Sequence, residues 1–204
     1  VTTGQVLASI ANVRASSDLQ RNIEQQAMLR AIVARLQAER DGTEPEFPED
    51  LREGYPQVVA GQMDLFRNHI SQRESEMRAL ESQLEQRQRG VQEAQARQRS
   101  LSASLRIAIE QRDRVKPLVD SGAYAPLEFL RLEQSVVSLR GDLDSVIQTI
   151  SRTQSEVEEA EERIKSRQQE WQSTIQEEYN NRRAALTEVN ALISQGTDTV
   201  NRKE

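Results

Sequence analysis

Residues 114–130 read RVKPLVDSGAYAPLEFL, and they interrupt a long polar sequence in which apolar residues recur at helical spacing. Pro117 lacks an amide hydrogen and its ring crowds the carbonyl four residues earlier, so we expect the helix to distort or end near it. Gly122 allows a left-handed backbone conformation, and Pro126 suits the first turn of a new helix. The stretch therefore predicts a reversal of the chain at 120–125.

Apolar residues repeat every seven positions on both sides of this reversal. Before it, position a of the heptad runs from Met63 to Val119 with few polar exceptions. After it, the a positions are Phe129, Val136, Leu143, Ile150, Val157, Ile164 and Trp171. Because such a repeat buries a seam against a partner helix, it predicts two long helices, at 57–119 and 126–195, that form a coiled coil. Beyond Trp171 the repeat slips, which indicates a local change of packing.

The sequence before these helices has a different pattern. Residues 1–16 contain Gly4 and two threonines beside branched apolar residues, and we expect a short strand or an extended lead-in there. Ser17 with Gln20 three residues later has the form of a capping box, in which each side chain bonds a backbone amide at the start of a helix. A first, shorter helix is therefore predicted at 17–40.

Two other segments carry helix-breaking residues. Three prolines fall within 41–56, which predicts a loop, and Gly196 with the polar residues after it predicts a frayed end at 196–204. Together the pattern predicts an all-α fold, an elongated antiparallel coiled-coil hairpin of two long helices with the shorter N-terminal helix packed near its base. The alternative is end-to-end stacking of the helices, with the third one protruding.

Composition excludes several classes of function. Apolar residues make up 36% of the chain and aromatic residues 3%, which is too little for a thick globular core. The net charge of −6 comes from interspersed charges, and this disfavours a nucleic-acid or anionic-membrane surface. There is no cysteine, and His69 is the only histidine, so we expect no metal site, no cofactor and no catalytic set. The sequence predicts a protein that is not an enzyme.

The tip carries a motif that resembles a known family. Arg114, Leu118 and Ala125 lie at i, i+4 and i+11. This resembles the hairpin tips of the periplasmic adaptor proteins, also called membrane fusion proteins, which have Arg, Leu and a Ser or Thr at that spacing. The segment PLVDSGAYAPLEFLRLEQSVVSLRGDL is similar to the tip of the HlyD branch, which serves type I secretion. Ala125 departs from the pattern, since it lacks the hydroxyl group.

Two further stretches agree with this resemblance. GQVLASI at 4–10 is similar to the end of the first half of a lipoyl domain, which precedes the hairpin in that family. EFPEDL at 46–51 and GQMDLF at 61–66 resemble the segment that joins the family's first two helices. The resemblance implies that the sequence is an α-helical hairpin fragment of a periplasmic adaptor that is anchored in the inner membrane.

The resemblance also implies partners and a role for the tip. Such adaptors link an inner-membrane ABC transporter to a TolC-type outer-membrane channel for type I protein secretion, and several copies, commonly six, pack side by side. The channel-binding residues of the tip would be Arg114, Leu118, Gly122 and Ala125. Arg114 would donate hydrogen bonds to channel carbonyls or carboxylates, Leu118 would fill an apolar notch, and Gly122 would allow close backbone approach.

The amino-acid sequence also allows other interpretations. On helix statistics alone, Arg114 is a surface arginine paired with a carboxylate such as Asp113 or Glu110, and the family's arrangement is what favours a channel contact. The whole chain could be a structural antiparallel coiled-coil spacer or scaffold without a channel partner. A multidrug-efflux adaptor is disfavoured, because the extra first helix and the EFP segment resemble type I secretion adaptors.

Overall fold

The computed structural model describes the backbone of residues 5–201 and the side chains of residues 16–198. Four helices follow one another: α1 (Gln5–Asp41), α2 (Glu49–Gly54), α3 (Pro56–Asp120) and α4 (Pro126–Asn201). No strand occurs among the described residues, and the predicted all-α hairpin with a shorter N-terminal helix is confirmed. None of these helices, as far as they are described, has an apolar segment long enough to cross a bilayer.

The chain divides into two units, which we call unit 1 (Val1–Glu76 and Arg167–Glu204) and unit 2 (Met77–Ser166). Unit 2 contains the second part of α3, the turn and the first part of α4. Its buried apolar residues all occupy seam positions a or d of the predicted heptads, and they are Ala108, Val136, Val146 and Ala160. Arg87 Nη1 on α3 lies 2.6 Å from Glu156 Oε2 on α4. The two helices of unit 2 therefore pack antiparallel in the predicted register.

Unit 1 has a more extensive core because a third long helix joins it. One cluster of buried residues brings together Ala27, Ala31, Phe47 and Leu51 from α1, α2 and the segment between them. A second cluster joins Leu36 of α1 to Ile175 and Tyr179 of α4. The Arg73 guanidinium lies 4.0 Å above the ring of Trp171, and it covers the residue at which the heptads slip. The slip in the heptad repeat thus lies where apolar residues of α4 begin to pack against α1.

Unit 1 also buries a charged network that the sequence analysis did not anticipate. Arg35 is 4% exposed and Glu39 is 1% exposed, and Arg35 Nη1 donates to Glu39 Oε1 at 2.5 Å. Arg35 Nε donates to Gln62 Oε1 on α3 at 2.8 Å. His69 Nδ1, also on α3, lies 3.2 Å from Glu39 Oε1. Buried charges require such partners, and here the partners connect α1 to α3.

The N-terminal boundary differs from the prediction. Helix α1 begins at Gln5, so residues 5–16 are helical and not extended, while residues 1–4 of the predicted lead-in lie outside the described residues. Ser17 therefore lies inside the helix and does not cap it. Residues 5–16 contain three alanines and neither glycine nor proline, which lets the helix extend over them.

The predicted loop at 41–56 contains a short helix, α2, that the sequence analysis missed. Prolines flank α2 without entering it, and Pro48 occupies its N-cap. Leu51 is buried, and Arg30 of α1 donates two hydrogen bonds to the Asp50 carboxylate at 2.6 and 3.1 Å. These bonds hold the pKa of Asp50 below its usual range. Contacts with α1 thus stabilise a helix too short to form alone.

The C-terminal prediction of fraying is wrong for 196–201, where α4 continues as far as Asn201; residues 202–204 lie outside the described residues. Gly196 sits where α4 approaches α1 closely, since an added Cβ would lie 3.2 Å from Leu19 Cδ1. Thr197 Oγ1 donates to the Ile193 carbonyl at 2.8 Å. The glycine permits close packing of two helices, a use that the sequence pattern did not reveal.

Candidate functional site

The candidate site is the turn between α3 and α4, which lies within unit 2. Gly122 has φ of +77°, in the left-handed region that favours glycine. The amide of Ala123 donates to the Leu118 carbonyl at 2.8 Å, and the amide of Gly122 donates to the Val119 carbonyl at 3.0 Å. This pair of bonds is a Schellman motif, which satisfies carbonyls at the end of α3.

Pro117 does not end α3, because the helix continues for three more residues to Asp120. The Pro117 carbonyl still accepts a bond from the Ser121 amide at 3.1 Å. Ser121 Oγ donates to the Leu118 carbonyl at 3.0 Å, so that carbonyl accepts two bonds. The left-handed residue after the helix, and not the proline within it, is what stops α3.

Ala125 occupies the N-cap of α4. Its carbonyl accepts bonds from the amides of Glu128 at 3.1 Å and Phe129 at 3.3 Å, and Pro126 takes the first helical position. An alanine methyl group cannot accept a bond from an amide of the first turn of α4, as a serine or threonine hydroxyl would. Glu128, at the position of a capping-box partner, pairs with Arg131 at 2.7 Å instead.

Arg114 is exposed on the last turns of α3. The nearby Asp113 carboxylate is bound by Arg112, whose Nη2 lies 2.6 Å from Asp113 Oδ1. Arg114 itself makes no hydrogen bond or ion pair with any residue that the structure describes. The interpretation of Arg114 as a surface arginine paired with Asp113 or Glu110 is therefore not supported by these contacts.

Leu118 lies one helical turn beyond Arg114 on the same side of α3, and its surface is 47% exposed. Two more large apolar residues are exposed just after the turn, Leu127 and Leu130, and the sequence analysis missed both. They could have been found as leucines outside positions a and d, which a hairpin seam does not bury. The tip therefore presents a cation and several leucines around a glycine turn.

This arrangement suits the recognition of a protein surface. An unpaired guanidinium donates directional, charge-assisted hydrogen bonds to carbonyl or carboxylate oxygens, and leucines contribute apolar contact area. Within the described residues, no group of three or more His, Cys, Asp or Glu side chains is placed to hold a metal ion. The structure brings Gly122 and Ala125 into the turn itself, with Arg114 and Leu118 on the helix that leads to it.

Comparisons with known proteins agree on this architecture. The family model described as AprE, long α-helical hairpin, matches residues 15–199. Among solved structures, the soluble domain of LipC, a membrane fusion protein of a type I secretion system, superposes with a TM-score of 0.89 and 19% sequence identity. The alignment covers 94% of this chain and 74% of that chain, and at this identity it establishes the fold alone. No curated protein matches the sequence.

Proposed function

This chain belongs to the AprE family of long α-helical hairpins, and on that premise we propose that it is an adaptor hairpin whose tip docks onto a TolC-type outer-membrane channel. The family match confirms the resemblance to the hairpins of type I secretion adaptors. In this function the adaptor connects the channel to an inner-membrane ABC transporter, and the hairpin works in the periplasm. Its role is mechanical and adhesive, without catalysis.

One observation carries the proposal: Arg114 is exposed and unpaired, within the described residues, directly beside the exposed Leu118 at the closed end of the hairpin. A coiled coil needs neither feature for its own stability. A guanidinium that is free of internal partners can bind carbonyl or carboxylate oxygens of a channel without first breaking an ion pair. Leu118 then supplies apolar contact next to it.

The rest of the hairpin provides reach. Helix α3 has 65 residues, which correspond to roughly 100 Å of helix axis at about 1.5 Å per residue. Several copies, six in the arrangement that the family resemblance implies, stand side by side so that their tips meet the channel together. Weak contacts at each tip then act jointly, because one bound tip raises the effective concentration of the others.

Substitution of the two tip residues tests this function. Arg114→Ala and Leu118→Ala, introduced into the adaptor in cells, are expected to abolish secretion and crosslinking to the channel. Helical content measured by circular dichroism should not change, since both side chains are exposed. Matched controls are Arg106→Ala, an exposed arginine farther from the turn, and Leu192→Ala, a similarly exposed leucine in unit 1. Unchanged secretion in the tip variants would instead support a structural spacer without a channel partner.

A further inference from the structure

Unit 1 carries an open groove beside the short helix α2. The groove is lined by residues 45–48, by Arg52 of α2, and by Val59 and Met63 of α3, and its volume is about 620 Å³. This volume lies within the range of about 300–1,000 Å³ that is typical of binding sites. All of the lining residues belong to unit 1, so the groove lies wholly within that unit.

The surface of the groove is mainly apolar. Val59 and Met63 pack against the buried cluster that contains Phe47, yet both are only partly buried. Pro48 is exposed. A methionine side chain adapts its shape to different partners, and exposed apolar surface that is bordered by polar residues marks interaction sites. The groove therefore offers an apolar contact surface.

Carboxylates without internal partners border this apolar surface. Glu46 lines the groove, and Glu44, Glu49 and Glu53 each adjoin a lining residue in the sequence. All four are exposed. None of them makes an ion pair with any residue that the structure describes. Their charges are therefore available to a partner.

The other charges of the same segment leave this balance negative. Asp50 is already paired with Arg30 at 2.6 Å, and Asp41 is paired with Arg40 at 2.7 Å. Arg52 is the only basic residue in the sequence from 41 to 56, and it has no ion-pair partner among the described residues. Four carboxylates thus stand against one guanidinium. This surface attracts cations and repels nucleic acids and anionic lipids.

We propose that the groove binds a short cationic segment of a partner protein, in which lysine or arginine residues flank one or two large apolar side chains. The apolar side chains enter the groove and contact Val59 and Met63. The basic residues pair with Glu46 and with the carboxylates beside it. Exposed ion pairs contribute little affinity, so they select the partner while the apolar contact holds it. The inference does not depend on the turn, which lies in unit 2.

Photocrosslinking of the purified chain tests the position of the contact. The probe is the peptide Lys-Lys-Leu-Bpa-Leu-Lys-Lys, in which Bpa is benzoylphenylalanine, a photoreactive residue that readily labels methionine. The chain has three methionines, and Met28 is 52% exposed whereas Met63 is partly buried. Proteolysis and mass spectrometry are expected to place most of the label at Met63. Label mainly at Met28, or spread over the chain, would overturn the proposal.

Neutralised carboxylates test the charge of the partner. Glu46→Gln combined with Glu49→Gln is expected to weaken binding of the same peptide, labelled with fluorescein and followed by anisotropy, by about fivefold. The control combines Glu81→Gln with Glu93→Gln in unit 2, which changes the net charge equally at exposed carboxylates that have no ion-pair partner among the described residues. An equal loss in the control would show general charge attraction and contradict the groove.

Two further changes separate the apolar contact from the charge. Arg52→Gln is expected to strengthen binding, because it removes the cation that lines the groove; weaker binding would indicate an anionic partner and refute the proposal. A peptide with serine in place of both leucines and of Bpa keeps its charge, and it is expected to bind about tenfold more weakly. Equal binding of that peptide would mean that the groove takes up no apolar side chain.

Discussion

Unit 1 contains shorter segments of α3 and α4 than unit 2, yet it buries the more extensive interior. In unit 1, Leu36 and Ala31 are fully buried, and a charged pair, Arg35 and Glu39, is buried with them. In unit 2, the buried apolar side chains are two alanines and two valines at the seam, and larger residues such as Leu118 and Ile107 are exposed. The difference follows from α1 and α2, which cover unit 1 and have no counterpart in unit 2.

This comparison separates two uses of apolar residues. A pair of helices can bury only the stripe between them, so the remaining apolar residues of unit 2 are available to partners. A third helix closes the stripe from another side and makes an interior in which even charges are enclosed. Substitutions in unit 1 are therefore expected to lower the free energy of unfolding more than substitutions in unit 2. Most of the surface that binds partners is expected in unit 2.

The largest loss of stability is expected for Glu39→Gln in unit 1. Removal of the Glu39 charge leaves the buried Arg35 guanidinium with only the longer contact to Glu178 Oε1 at 3.9 Å, and breaking a buried ion pair in this way costs about 3–5 kcal/mol in the free energy of unfolding. Urea unfolding followed by circular dichroism measures the loss. Glu93→Gln is the matched control in unit 2, since Glu93 is exposed and has no ion-pair partner among the described residues. Equal effects of the two changes would show that the network of unit 1 is not a closed interior.

A smaller effect is expected within unit 2, from two adjacent valines. Val136 is 2% exposed and lies in the seam, so Val136→Ala should destabilise the chain by about 1–3 kcal/mol. Val137→Ala should leave the free energy of unfolding nearly unchanged, because its side chain is exposed. The same urea experiment measures both. If both variants were equally unstable, Val137 would be part of the internal packing and not of a binding surface.

A modest gain is expected from Ala125→Ser at the turn. The new hydroxyl can accept a bond from an unpaired amide in the first turn of α4, with Glu128 already in place as the partner of a capping box. Stability should rise by about 0.5–1 kcal/mol, measured by thermal unfolding. Ala123→Ser, a change inside the turn but not at the N-cap of α4, serves as the control. A gain of the same size in the control would mean that the N-cap is not the cause.

The smallest effect concerns acid sensitivity in unit 1. Arg30 lowers the pKa of Asp50 in the folded chain, so this interaction stabilises the fold above the ordinary pKa of about 3.9 and is lost as the pH falls through the lower, folded value. Asp50→Asn should therefore differ from the natural chain near neutral pH, and the difference should vanish in acid. Urea midpoints over a pH series measure this. The exposed neighbour Glu49 provides a control as Glu49→Gln, for which no such convergence is expected.

Much of the fold could be predicted from the residues because helix formation, heptad spacing and chain reversal depend on residues that are close together in the sequence. The heptads predicted the partners across the seam of unit 2, and Pro117, Gly122 and Pro126 predicted the reversal. The failures share a physical cause. The helix α2 depends on contacts with α1, and Gly196 was predicted to weaken the end of α4 because its close approach to Leu19 is not visible in the sequence.

The candidate site was predictable in part. Arg114, Leu118, Gly122 and Ala125 were found from their spacing and their resemblance to adaptor tips, and their role in channel binding stays a prediction. The sequence does not show that Arg114 has no ion-pair partner among the described residues, because Asp113 is adjacent to both Arg112 and Arg114 and only the structure shows that it pairs with Arg112. Leu127 and Leu130 were missed because the heptad pattern identifies residues that are buried in the seam, and these two leucines are mostly exposed.

The sequence by itself determined the helices, their seam and the place where the chain reverses, because helical periodicity and the backbone limits of proline and glycine act over a few residues. Only the tertiary structure decided which side chains are enclosed and which are available. Burial depends on whether a third helix packs on the pair. In unit 1, α1 packs on α3 and α4 and so encloses its own Arg35 and Glu39 against them, whereas Ile107 and Val137 in unit 2 stay more than half exposed. That distinction is a property of packing between distant segments, and local spacing does not encode it.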